Sequence, residues 1–361
     1  MRLQSSTAAL AAMVLFVGAA QAQGPRPVEL SAKAAFKHRH SKIQLPPRLA
    51  GLPRVKALEY ESDQLDVVSE YATADVREAY TIYIYRNVAG SLPVWFDRAR
   101  DMIEHRAMLG TPTLHAVGEF VPPGRANASG LLATYGVDGK GYRSTGVAVL
   151  PVGEWLVKLR ASSATLAPAE LEARMKAALA EIAWPKKMAP APAAAPIAAC
   201  ATALALSGDA KPVEKDDESG AAMLVGALLG QAGAFQAPPK ASPAPPAVRW
   251  CRDPIEVPDA GVYRADEQKD GYFVAVADAG RGLSVGPNAG NLLLEDEKKA
   301  GGERYEVRMI LLSQTMTSPL FDRLPPPAQA LAIAREGRFA TSFGTWGKGK
   351  GQINVSTEAL Q

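Results

Sequence analysis

At 361 residues the chain is long enough for two domains and a sizeable core. Lys and Arg total 40 against 37 Asp and Glu, a formal net charge of +3, which falls to +2 once Arg2 leaves with a cleaved leader. So even a balance gives no basis for nucleic-acid binding, which shows as a basic face or a domain of high pI.

The first segment sets the compartment. Arg2, an apolar core from Ala8 to Val17 and the small-residue ending Ala20-Gln21-Ala22 have the pattern of a secretory signal peptide cut between Ala22 and Gln23. The apolar run is short for a bilayer span, so a retained anchor is the lesser alternative. No Cys stands at the cut to take a lipid. The expected location is periplasmic or secreted. There Cys200 and Cys251, the two cysteines of the chain, are expected to pair as a disulfide. Two solitary cysteines as metal ligands are the alternative, but nothing near them has zinc-site spacing.

Residues 23–50 read as an extended basic arm, with Lys33, Lys37, His38, Arg39, His40 and Lys42 and no acid among them. A solvated extension is the plain reading. Peripheral contact with an anionic membrane face is the sharper one, and His38 with His40 alone makes a poor metal site.

Residues 51–185 read as one α/β domain. Leu65, Val67 and Tyr71 alternate with Asp66 and Glu70 as in a half-buried strand, and Thr81 to Tyr85 is β-branched and aromatic. A helix follows from Ser91 with Pro93 in its first turn, where proline is tolerated. Its stripe is Trp95, Ala99, Met102, Ile103 and Arg106, to be covered by the sheet, with Asp97, Arg98, Arg100, Asp101 and Glu104 elsewhere. Strands are expected at Leu114 to Phe120 and Gly130 to Tyr135, then a hairpin of Thr145 to Leu150 and Trp155 to Ala161 turning at Pro151-Val152-Gly153. In the hairpin Trp155, Val157, Leu159 and Ala161 share one face, and Leu156, Lys158 and Arg160 the other. Lys158 and Arg160 are thus a candidate anion-binding pair; the plain reading is a solvated strand face or a pair meeting carboxylates on a neighbouring strand. Tyr83 and Tyr85 are candidate contacts on the central strand, with core packing the plain reading. A second helix starts at Pro168, repeats Leu171, Met175, Leu179 and Ile182, and stops at Trp184-Pro185.

Residues 186–196 form an Ala/Pro-rich linker. Residues 197–361 are expected to make a smaller α+β domain stapled by the disulfide. It contains an apolar helix from Ala221 to Gly233, a Pro-rich insert from Pro238 to Pro246, and strands at Gly271 to Val276, Gly282 to Val285 and Tyr305 to Gln314. A helix from Ala328 to Arg335 and a short terminal strand close it. Between them Gly344, Gly347, Gly349 and Gly351 surround Trp346, Lys348 and Lys350. Lysines in a glycine-rich loop suit phosphate, but Walker spacing is absent, and a surface loop is the plain reading.

The order of strands, helix, hairpin strands and closing helix, with the phrase GEWLVKLRAS and the ending AWP, resembles the PsbP/Mog1-like α/β/α domains of exported proteins over about residues 50 to 185. The resemblance implies a mostly antiparallel sheet between helices and a binding or assembly-assisting role, with no catalytic motif to carry over.

No S-x-x-K, H-E-x-x-H or dinucleotide fingerprint occurs. His105 on the first helix and His115 in a strand have no local nucleophile. The sequence therefore points to an exported bacterial binding or accessory module of the cell envelope, with an envelope protein as partner and no cofactor or metal. The alternative is a small-molecule hydrolase with a site between the domains.

Overall fold

The computed structural model describes residues 24–139, 141–213, 248–293 and 303–356. The stretches expected to form a signal peptide, a helix from Ala221 to Gly233 and a Pro-rich insert from Pro238 to Pro246 lie outside these residues.

The architecture is mixed α+β and rich in sheet. The first half contains β1 (Leu52–Glu61), β2 (Asp66–Ala72), β3 (Glu78–Arg86), α1 (Leu92–Glu104), β4 (Thr113–Phe120), β5 (Gly130–Gly136), β6 (Ser144–Val152), β7 (Trp155–Ser163) and α2 (Pro168–Glu181). Its sheet runs Arg26–Pro27, β1, β2, β3, β7, β6, β5, β4, with Arg48–Leu49 also on β1. The chain meanders through β1–β3, crosses the sheet in α1 to its far edge, and meanders back until β7 pairs with β3. Side-chain alternation sorts the two faces. Trp155, Val157, Leu159 and Ala161 join Leu171, Met175 and Leu179 of α2 in one core cluster. Leu156, Val147 and Val149 join Trp95, Phe96 and Ala99 of α1 in another.

The second half adds β8 (Trp250–Arg252), β9 (Ala260–Ala265), β10 (Tyr272–Val276), β11 (Arg281–Pro287), β12 (Tyr305–Ile310), β13 (Gln314–Thr317), α3 (Pro327–Glu336), β14 (Thr341–Gly344) and β15 (Ile353–Val355). These strands follow one another in order behind the two-residue strand Ala198–Ala199, which pairs with β8 in parallel; every other strand pair described is antiparallel. This sheet has nine strands, as many as the first. The single strand expected over Tyr305 to Gln314 is the pair β12 and β13, because the chain reverses after Ile310 and buries Leu312 in the turn.

Helix α1 is covered on both sides. The first sheet takes one face, and strands β9 and β10 take another, placing Tyr263, Phe273 and Ala275 in the same cluster as Trp95. The expected stripe is therefore incomplete: Arg98 is buried, whereas Met102 stays 37% exposed. The basic N-terminal segment is not a solvated extension. Phe36, Ile43, Leu45 and Leu49 belong to the core, and Phe36–Lys37 pairs with Gln44–Leu45 in a small hairpin. Residues 186–196 have no regular structure but are docked, since Arg125 donates to Ala189 O, Asn127 Nδ2 to Ala191 O at 2.8 Å and Ala194 N to Ala128 O at 2.9 Å. Cys200 and Cys251 form a disulfide that ties Ala198–Ala199 to β8. No described helix is long and apolar enough to cross a membrane.

Candidate functional site

Lys158 and Arg160 do come together, but beneath the second half. Strand period puts both on the face of β7 that also carries Leu156, and the turn after β10 lays Asp278 across that face. Lys158 is wholly buried, with Nζ 2.8 Å from Asp278 Oδ2 and donating to the Asp278 carbonyl at 2.9 Å. Arg160 reaches the same carboxylate oxygen at 2.8 Å. The ammonium also lies 4.3 Å from the ring centre of Tyr83, its cross-strand neighbour. Burial lowers the Lys158 pKa to about 8 against the pull of Asp278. For Asp278 burial acts upward, but Lys158 and Arg160 outweigh it and hold the carboxyl below its ordinary value. The sequence held one signal of this cover. Tyr83 and Tyr85 share the face assigned to water, and Tyr85 is fully buried.

Two further contacts join the halves nearby. Arg281 donates to Asp66 at 2.8 Å, a carboxylate whose pKa burial raises. Arg86 donates to Leu312 O at 2.9 Å and lies 4.7 Å from the Trp346 ring centre. Trp346 seats against Trp155 and His40 and donates to Asp63 Oδ2 at 2.7 Å. The glycine-rich loop thus serves to place an indole, and a Cβ on Gly344 would collide with the Gly349 carbonyl. Lys348 and Lys350 point to solvent beside it. His38 and His40 face inward onto Trp155. His38 Nε2 donates to Gln64 O at 2.8 Å, which leaves Nδ1 to accept from Ser41 Oγ at 2.7 Å, so both ring nitrogens are spent within the protein. Among the described residues no three His, Cys, Asp or Glu side chains are grouped to hold a metal ion.

Between α1 and the second sheet lies an open cleft of about 1070 Å³. One wall is Asp97, Arg98, Asp101, Met102, His105 and Arg106; the other comes from residues 197–199 and 252–260. At its base Arg252 donates to Asp97 Oδ2 at 3.1 Å and to Asp101 Oδ1 at 2.7 Å. Tyr263 donates its phenol to Asp97 Oδ2 at 2.7 Å. Arg98 donates to Asp101 at 2.5 Å and to the carbonyls of Ala277 and Asp259, each at 3.1 Å. Burial acts to raise the Asp101 pKa, but Arg252 and Arg98 outweigh it and lower it. For Tyr263 burial and the Asp97 charge act together and push the phenol up. The sequence placed Asp97 and Asp101 only off the apolar stripe of the helix, because helix spacing shows which side chains are neighbours but not what later chain covers them.

The lining is charged and apolar in its chemistry. It contains no Ser, Thr, Cys or Lys, and its inner carboxylates are engaged by arginines. His105 lies at its edge with Nδ1 near Asp101 O at 3.0 Å. His115 lies elsewhere, exposed at an irregularity of strand β4. No family model matches the chain, and no curated protein matches its sequence.

Proposed function

We propose that the protein is an exported binding or accessory module of the bacterial cell envelope and that its partner enters the cleft between the two halves. The observation that carries this reading is the cleft itself. It is large and open, its apolar side chains Met102, Ile197, Ile255 and Val257 reach a floor of charges already engaged with one another, and it holds no Ser, Thr, Cys or Lys. Such a surface suits a partner held by apolar and polar contacts. Export is supported by the leader pattern of residues 1–22 and the Cys200–Cys251 disulfide. The accessory role is supported by the element order and the GEWLVKLRAS phrase, which resemble the PsbP/Mog1-like domains.

The test is a crosslinked pull-down of the tagged protein from native envelope extract, run beside Ile255→Trp, which fills the cleft. One dominant envelope protein, captured by the wild type and lost with Ile255→Trp, is the result expected. An empty eluate from both, together with turnover of a panel of ester and amide substrates, would replace this reading with the hydrolase one.

A further inference from the structure

On the reading that the cleft takes a partner, we propose that the part of the partner it takes is an extended peptide, added as a strand beside Ala198–Ala199 and held by one acidic and one basic side chain.

Three observations converge on this ligand class. The first is an open strand edge inside the cleft. Ala198 and Ala199 form the outermost strand of the second sheet, and both are exposed and line the cleft. Cys200 N donates inward to Arg252 O at 2.9 Å, so by the alternation of a parallel ladder the N–H and C=O of Ala199 point to the open side. The segment 198–199 has itself joined the sheet in this manner, as the end of a linker laid along β8. A further extended chain repeats that step, with main-chain hydrogen bonds for affinity and alternate side chains for specificity.

The second is size and lining. At about 1070 Å³ the cleft exceeds the range of about 300–1,000 Å³ typical of small-molecule sites. Ile197, Ile255, Val257 and Met102 provide apolar contacts for side chains on one face of an added strand.

The third is charge. Among the cleft's ionisable groups, Arg106 on one wall and Glu256 with Asp259 on the other are exposed and have no side-chain partner. The inner charges are already matched, so these free groups fix what is recognised: an acid toward Arg106 and a base toward Glu256 and Asp259. Opposite signs on the two walls also set the direction in which the peptide lies.

The experiment is panning of a random linear peptide library against the wild type with Ile255→Trp as the subtracting control. Enriched peptides are then synthesised and their binding measured by fluorescence anisotropy. The expected peptides alternate apolar and polar residues and carry an acid and a base. Arg106→Glu and Glu256→Lys, both at exposed unpaired positions, are each expected to weaken them by about tenfold. Failure to enrich any sequence over the control, or affinities unmoved by both reversals, overturns the peptide assignment. If Ile255→Trp-sensitive capture from envelope extract persists in that case, the partner reading stands and only the extended-peptide inference falls.

Discussion

Asp278→Ala probes most directly how the two halves are held. The Asp278 carboxylate receives Lys158 and Arg160, each at 2.8 Å, and the Lys158 side chain has 0% exposure. Without the carboxylate, the ammonium keeps the residue 278 carbonyl at 2.9 Å and the Tyr83 face as its partners. Breaking a buried pair from one side leaves an uncompensated charge and costs about 3–5 kcal/mol. Lys158→Met differs in kind, because it removes the desolvated ammonium and leaves Arg160 on Asp278. Its expected cost is under about 2 kcal/mol. The double variant Lys158→Met/Asp278→Ala removes the stranded charge, so it should be more stable than Asp278→Ala alone by about 2 kcal/mol. Urea unfolding at neutral pH, followed by far-UV circular dichroism and tryptophan fluorescence, measures all three. A loss below about 1 kcal/mol for Asp278→Ala, or a double variant equal to the sum of the singles, would refute the reasoning. A pH series adds a signed check. Lys158 titrates at about 8 when folded and at 10.5 as an ordinary lysine, so between those values the unfolded chain binds more protons. This group therefore adds stability as pH rises from about 8 toward 10.5, and Lys158→Met should lose that gain.

The remaining predictions concern the other contacts. Trp155 is 3% exposed and packs against His38, His40 and Trp346, so Trp155→Ala should cost about 3–5 kcal/mol by the same unfolding assay; a near-neutral result would mean the indole is a surface group. His38 is buried with its pKa lowered to about 4 from 6.5, chiefly by burial, so its contribution is present above 6.5 and lost as pH falls through 4, about 3 kcal/mol in all. His38→Gln should flatten that acid limb, and an unchanged limb would show that another group titrates there. Neither Cys200 nor Cys251 should react with an alkylating agent in the native protein, and modification of both would exclude the disulfide in solution. Residues 186–196, hydrogen-bonded along residues 125–128, should resist limited proteolysis more than a free linker does; first cleavage there would show that the docking is transient.

Local pattern was enough for much of the first sheet. The alternation from Trp155 to Ala161 identified the face that packs on α2, and Pro93 and Pro168 stand in the first turns of their helices. A disulfide was legible because two cysteines allow one pairing. What local pattern does not contain is the placement of one half on the other. Lys158, Arg160, Asp97 and Asp101 occupy positions that are polar on an isolated strand or helix, and they are covered or engaged by residues more than a hundred positions later. Arg252 and Asp278, on which the interface turns, lie in a short strand and a turn with no periodic signal. The N-terminal segment misled for a related reason. Its charges drew attention, whereas Phe36, Ile43, Leu45 and Leu49, the residues that bind it down, are scattered among prolines and basic residues without a clean period.

Entry of a partner into the cleft between the halves can be tested in place. The most direct measurement is site-specific photocrosslinking in native envelope extract, with the photoreactive amino acid placed at Met102, an exposed residue of the cleft wall, or at Val355, an exposed residue of the terminal strand. One discrete crosslinked species is expected from position 102, absent at position 355 and abolished by Ile255→Trp. The same species from both positions, or a position-102 product that survives Ile255→Trp, would contradict it.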